Sequence, residues 1–410
     1  MASRRISRDV ILLSASIFFA DASTSSIIPI FPGFAQKIGA SLSMLGSYGS
    51  VSAITMLLFS LPFGRLSDRI GRKKMMTPGL ALFILMPLSY IVVKTPLRLY
   101  PIRLLLGLGV GLVFGNGFLL MTEVSEPEHR NIAQGIYMTS MGLGFTMGPL
   151  IGGITSKLYG NTVSFYLSSL LGLLSILILQ FVKETKVNNE TGPPETSIPE
   201  IIKDPKVLAA GIANFLNSIM FSALTLFYPV YGASIGFDEA QIGVGFTTRG
   251  LASTAVRLPV GAVTKHFRVL NLMIFGLLLS AVSIFSVSMS TSLALTSVIM
   301  GIQGIAYGVY LTSGNVYVAN NSTEENRGTA MATFSMFGNL SVIINPVILG
   351  VIAEILGPRE ALQFSTIATI LGVILLYYIA SKNTLYKAKR ATRAKNSHLE
   401  SDTCLSMICE

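Results

Sequence analysis

Long apolar runs separated by short polar segments make up most of the chain. The runs 45–63 and 75–93 flank the charged stretch 64–74, and each is long enough to cross the hydrocarbon core of a bilayer as a helix. The same pattern continues to residue 380 and predicts an all-α membrane protein with twelve transmembrane helices. Besides the span that contains residues 144–153, the predicted spans lie at about 10–34, 45–63, 75–93, 99–121, 163–182, 208–231, 242–263, 270–289, 293–318, 329–352 and 361–380.

Composition and charge agree with this pattern. The chain is 51% hydrophobic and 12% charged, whereas about a quarter of the residues of a soluble domain are charged. Lys and Arg are concentrated in alternate loops, so the positive-inside rule places both termini in the cytoplasm. The net charge of +10 is therefore interpreted as a topology signal and not as a nucleic-acid surface. Cys404 and Cys409 fall in the C-terminal tail, so neither a metal site nor a cofactor is expected in the membrane body.

The second half of the chain repeats the first at a shift of 197 residues without a gap. The shift aligns kink and turn residues: Pro32 with Pro229, Pro62 with Pro259, Gly64 with Gly261, Gly107 with Gly304, Pro149 with Pro346 and Gly153 with Gly350. Such a repeat predicts two six-helix halves with a binding site between them near the midplane. We expect an N-terminal half at 1–186, a cytoplasmic linker at 187–206, a C-terminal half at 207–380 and a disordered cytoplasmic tail at 381–410.

Three charged side chains within predicted spans are candidates for substrate binding or proton coupling. Asp21, Arg103 and Arg249 each carry a cost in hydrocarbon, about 2.5–3.5 kcal/mol on insertion scales, and are expected to face a cavity or a partner. Each has an alternative role. In the alternative for Asp21, the carboxylate only forms hydrogen bonds with neighbouring hydroxyls. In those for the arginines, Arg103 extends to the outer interface and Arg249 forms a structural salt bridge with an acid of another span. Arg257, near the cytoplasmic end of the same span as Arg249, is placed to reach either the interface or helix ends.

The charged stretch 64–74 must form an interfacial turn between two spans. Its candidate gating residues are Gly64, Asp68, Arg69, Gly71, Arg72 and Lys73. Glycines, an acid and bases at this spacing closely resemble the signature loop between spans 2 and 3 of the major facilitator superfamily. Similarity to this family implies a secondary transporter that works by alternating access. We expect the loop to control the conformational equilibrium without touching substrate. Asp68 can accept hydrogen bonds from a helix N-terminus or pair with Arg residues, and so lock the halves together when the protein opens outward.

A glycine-rich string in the fifth span is a second motif. It consists of Gly144, Gly148, Pro149, Gly152 and Gly153. Small residues allow close helix packing, and the proline bends the helix, so this string is expected to contact a neighbouring helix and to seal one side of the cavity. It resembles the span-5 motif of antiporters in the same superfamily, and the segment that begins at Asp21 resembles the acidic first-span motif of drug:proton antiporters.

Together these features predict proton-coupled export of small amphipathic organic compounds by a monomer in the cell membrane. The alternative is a proton-coupled uptake symporter for an organic acid or a sugar, because Arg103 and Arg249 outnumber the central acid. A third alternative is a receptor or scaffold with the same fold, which would transport no substrate. An enzyme is not expected, since the sequence contains neither a phosphate-binding loop nor a cluster of nucleophile and base.

Overall fold

The computed structural model describes residues 7–185, 202, 204–323 and 326–380, and nearly all of them are helical. The linker prediction for 187–206 falls mostly outside these residues, as does the tail prediction for 381–410. The helices are α1 (Arg8–Ser26), α2 (Phe31–Lys37), α3 (Leu42–Ile70), α4 (Arg72–Val92), α5 (Leu99–Glu123), α6 (Arg130–Tyr159), α7 (Asn161–Gln180), α8 (Pro205–Ser234), α9 (Glu239–Val263), α10 (Val269–Met289), α11 (Leu293–Asn320), α12 (Arg327–Ile355) and α13 (Pro358–Ala380).

Ten stretches of the described chain are long and apolar enough to cross a membrane. The long helices α6 and α9 are not among them. Their lower apolar content reflects the glycines and hydroxyl residues of α6 and the two arginines of α9. The all-α membrane fold is therefore confirmed, while the count of twelve spans stays a prediction.

Two local features differ from the sequence-based expectation. The first predicted span is divided into α1 and α2 by the turn 27–30, where Pro29 has no backbone N–H to continue the helical ladder. The charged stretch 64–74 is mostly helical and not a loop. The turn is confined to Gly71, whose φ of +107° favours glycine, because α3 continues to Ile70 and α4 begins at Arg72.

Reciprocal serine pairs hold α1 against α7 inside the N-terminal half. Ser16 and Ser175 each donate to the other's backbone carbonyl, at 2.9 and 2.8 Å, and Ser23 and Ser168 do the same at 2.7 and 2.8 Å. Lipid provides no hydrophobic force that would drive helices together, so small residues and such hydrogen bonds hold the helices at close range.

At one end of the molecule the two halves meet through close backbone contacts, and we call this the closed end. A methyl group added at Gly46 of α3 would overlap the carbonyl oxygen of Pro346 in α12. One added at Gly243 of α9 would overlap the carbonyl oxygen of Pro149 in α6. Gly46 and Gly243 are themselves related by the 197-residue shift, as are the two prolines. The closed end is therefore built from the same contact made twice.

Two polar contacts also join the halves at the closed end. The Lys157 ammonium lies 2.9 Å from the carboxylate of Asp238, and the Glu354 carboxylate accepts hydrogen bonds from the backbone N–H groups of Leu42 and Ser43 at 2.6 and 3.1 Å. Partial burial raises the pKa of Asp238, but the hydrogen bond from Lys157 and those from backbone N–H groups outweigh it and hold the pKa below its usual value. The Asp238 carboxylate therefore stays ionised at mildly acidic pH.

The opposite end, which carries the 64–74 stretch, is open. Hydrogen bonds and ion pairs of the described residues there stay within one half, such as Arg72 with Glu123 and Lys206 with Asn321. Those that join the halves lie towards the closed end. The structure therefore has one closed and one open end, and the predicted topology places the open end in the cytoplasm.

A larger side chain at Gly153 should push the two halves apart at the closed end. A side chain there would overlap the backbone carbonyl of Glu239 in the other half, and the interface can accommodate it only by moving apart. With both native cysteines replaced by serine, spin labels at Lys37→Cys and Arg359→Cys report the separation. We expect Gly153→Leu to lengthen that distance by on the order of several Å.

Gly135→Leu in the same helix is the matched control, because it has open space around it. An unchanged label distance in Gly153→Leu would show that this contact does not hold the end closed.

Candidate functional site

Two cavities lie between the halves. The larger, of about 700 Å³, is on the open side and is lined by residues of α1, α5, α6, α8, α9 and α11. The smaller, of about 370 Å³, is on the closed side. Both volumes fall within the range typical of small-molecule sites. Most of the surface of each cavity is apolar, so the few charged groups in the walls determine what can bind there.

Four residues line both cavities and form a waist between them. They are Asp21 of α1, Phe114 of α5, Phe145 of α6 and Phe221 of α8. The Phe145 and Phe221 rings come from different halves, and their centroids are 6.0 Å apart. The waist therefore consists of three aromatic rings and one carboxyl group, and it brings both halves together near the middle of the molecule.

Asp21 is 8% exposed, and its position is set by close packing of α1 on α6. A methyl group at Gly144 would lie 2.9 Å from the Asp21 Cβ. The hydroxyls of Ser25 and Thr24 donate to the backbone carbonyl of Asp21, at 2.6 and 3.1 Å. Those of Ser23 and Ser26 also donate to carbonyls. Among the described residues, no hydroxyl donates a hydrogen bond to the Asp21 carboxylate. The residue lines both cavities.

Arg249 is 3% exposed and lines the larger cavity. Its Nε donates to Gln303 Oε1 at 2.5 Å, and Gln303 in turn donates to the Ser280 hydroxyl at 2.9 Å. The guanidinium carbon lies 4.7 Å from the centre of the Tyr307 ring and 5.9 Å from that of Phe221. One terminal nitrogen of Arg249 has no hydrogen-bond partner among the described residues.

The salt bridge considered for Arg249 is not seen in the described chain, where the four ion pairs join other residues. Its actual neighbours, Gln303 and Tyr307, were not among the sequence candidates. They stand one helical turn apart on α11, and this spacing is the only signal in the sequence that could have linked them.

The other two arginines also face the cavities. The Arg103 guanidinium carbon lies 3.4 Å from the centre of the Phe31 ring, in the wall of the smaller cavity, and so does not extend to the interface. Arg257 lines the larger cavity. The Nε atoms of both are buried without a partner among the described residues.

The charged stretch 64–74 forms a network of ion pairs and hydrogen bonds within the N-terminal half. Buried Arg72 contacts the carboxylates of Asp68 at 2.5 Å and Glu123 at 3.1 Å, and it also donates to the Ser67 hydroxyl. Glu184, beyond α7, accepts from the backbone N–H groups of Lys73 and Lys74, both at 3.1 Å. Arg69 is exposed. In this conformation Asp68 is paired within its own half, so a lock between the halves stays a prediction for the opposite state.

The glycine-rich string of α6 faces two different partners. Gly144, Gly148 and Gly152 pack against α1 of the same half, where added methyl groups would meet the backbone or Ser25. Pro149 and Gly153 instead face α9 of the other half. The contacts that close the protein therefore belong to only part of the string.

Comparison with known proteins places this architecture among membrane transporters. The family model of the Major Facilitator Superfamily matches residues 13–234 and again residues 210–406, and the chain belongs to this family. The resemblance noted for the signature stretch is thus confirmed, and the chain is a Major Facilitator Superfamily transporter.

Two relatives and one solved structure illustrate the similarity. Multidrug resistance protein 1 of Bacillus subtilis is 23% identical over 89% of this chain and 94% of its own. The multi-drug resistance efflux pump PmrA of Streptococcus pneumoniae serotype 4 is 34% identical over 51% of this chain and 54% of its own. The crystal structure of the nucleoside transporter NupG superposes with a TM-score of 0.77 at 12% identity, over 91% of this chain and 99% of that one, and supports the fold alone.

Removing the charge of Arg72 should destabilise the protein, because Asp68 and Glu123 would face each other without the cation between them. We expect Arg72→Gln to cost about 1–3 kcal/mol, a range reduced from that of a fully buried pair because Asp68 is 37% exposed. Apparent melting temperature, read by size-exclusion chromatography after heating, measures the effect.

Arg69→Gln is the control, since it removes an equal charge from an exposed position in the same stretch. Equal melting temperatures for the two variants would contradict the assigned network.

Proposed function

We propose that this transporter exports small amphipathic organic compounds in exchange for protons, acting as a monomer in the cell membrane with both termini in the cytoplasm. The observation that carries the proposal is the waist, where the Asp21 carboxylate and three phenylalanine rings line both cavities. Apolar rings accept many shapes of organic compound, while an acid in hydrocarbon is a group that can bind and release a proton.

The relatives support the export direction. The name of the multi-drug resistance efflux pump PmrA describes efflux, and that of Multidrug resistance protein 1 describes drug resistance. In the proposed cycle a compound enters from the open end and rests against the waist. The halves then rotate about it, the closed end opens, and a proton reaching Asp21 from outside accompanies the return. Competition between proton and substrate for Asp21 would couple the two flows in opposite directions.

Proton-coupled uptake of an organic acid is the second candidate, and the three arginines in the cavity walls favour it. An anion beside Asp21 is bound more readily when the carboxyl is protonated, so acid and proton would travel together. The two candidates therefore differ in the pH gradient that drives accumulation. A lumen-acidic gradient fills proteoliposomes by antiport and an outside-acidic gradient fills them by symport, whichever way the protein is inserted.

We expect Asp21→Asn to abolish accumulation driven by a lumen-acidic gradient, reducing it by at least about tenfold, while substrate exchange without a gradient persists. The amide has nearly the same shape but cannot bind and release the proton. The assay compares cationic, neutral and anionic aromatic compounds in proteoliposomes.

Glu126→Gln serves as the control, because its carboxylate is 77% exposed and remote from the cavities. Accumulation by Asp21→Asn equal to that of the control would remove Asp21 from the coupling mechanism.

A further inference from the structure

The larger cavity holds opposite charges that do not pair with each other. Asp21 of α1 and Arg249 of α9 both line it, and each belongs to a different half. Among the described residues Arg249 forms no ion pair with Asp21 or with any other carboxylate. Two unpaired charges in the wall of one apolar cavity are costly, and a ligand carrying the complementary charges would relieve the cost at both places.

Arg249 is prepared to receive an anion. Its Nε is held by Gln303, which is held by Ser280, so the guanidinium is fixed in place before a ligand arrives. The free terminal nitrogen is buried and lacks a partner among the described residues. A guanidinium with one side fixed and one nitrogen unsatisfied matches the geometry that binds carboxylates through charge-assisted hydrogen bonds.

The space between these charges suits an aromatic body. Phe221 and Tyr307 lie beside the guanidinium, and Phe145 faces Phe221 across the two halves. Offset or edge-on contacts with such rings favour a flat apolar group. Arg257 lies about two turns along α9 from Arg249, in the wall of the same cavity, and adds a further positive charge.

We propose that the preferred substrates are amphoteric aromatic compounds, with a basic amine for Asp21 and an acidic group for Arg249. This inference rests on the proposed function and specifies its substrate class. A purely cationic compound would face two arginines without satisfying either, and a purely anionic one would face the Asp21 carboxylate. An amine at Asp21 also competes with the proton, which keeps the coupling that of an exchanger, and a molecule held at both ends joins the two halves.

The test uses three probes on one scaffold: 2-naphthylalanine, which carries both charges, 3-(2-naphthyl)propionate, which is anionic, and 2-(2-naphthyl)ethylamine, which is cationic. Binding to the full chain in phosphatidylcholine nanodiscs is measured by equilibrium dialysis, with empty nanodiscs as the blank. We expect 2-naphthylalanine to bind about tenfold more tightly than either of the other probes, the equivalent of one charge-assisted contact.

Variants assign each charge to its partner. Arg249→Gln should weaken 2-naphthylalanine and the propionate about tenfold and leave the amine unchanged, which also demonstrates that the variant is folded. Asp21→Asn should weaken 2-naphthylalanine and the amine but not the propionate. Arg98→Gln, at an exposed position, is the control for loss of one positive charge.

The inference is overturned if 2-naphthylalanine binds no better than the amine, if none of the probes binds, or if Arg249→Gln leaves its affinity within twofold. Proton-driven export of 2-naphthylalanine with no dependence on Arg249 would contradict the inference and leave the proposed function standing. The expected binding pattern without any flux driven by a pH gradient would instead contradict the proposed function alone.

Discussion

The closed end depends on backbones that touch. Gly46 against Pro346 and Gly243 against Pro149 bring helices of opposite halves closer than any side chain would allow. The cavities exist because the halves meet there and diverge towards the other end. The internal repeat explains the symmetry of this contact, since each half provides one glycine and one proline to the other. The polar contacts Lys157–Asp238 and Glu354 with the start of α3 join the halves beside them.

The waist and the arginines show how a membrane protein keeps charges within an apolar interior. Arg72, in the charged stretch at the open end, is fully committed to Asp68 and Glu123. Arg249, deep between the halves, is committed only on one side. The physical difference is that the first network is complete without a ligand and the second is not, and this separates a structural cation from a candidate binding group.

Much of the architecture could be predicted from the sequence, because the length of an apolar run and the spacing of a repeat are properties of the chain itself. Asp21 and Arg249 stood out for the same reason, since a charge in an apolar run is visible without coordinates. Orientation was harder to predict. Gly148 and Gly153 belong to one motif but face different helices, and only packing decides which. Gln303 is a candidate because it accepts a hydrogen bond from Arg249, a contact between two helices that the sequence does not show.

The two long helices outside the ten apolar stretches, α6 and α9, are also one of the two helix pairs that meet across the halves, with Pro149 against Gly243 and Thr247 donating to the backbone carbonyl of Thr146 at 2.9 Å. Their composition has a consequence for biogenesis. A helix with two arginines gains little by entering lipid alone, since each costs about 2.5–3.5 kcal/mol at its centre on insertion scales. As a predicted span, α9 would therefore rely on helices already in the bilayer for stable integration, and the residues that serve the mature interface would make its assembly dependent on the order in which the chain is synthesised.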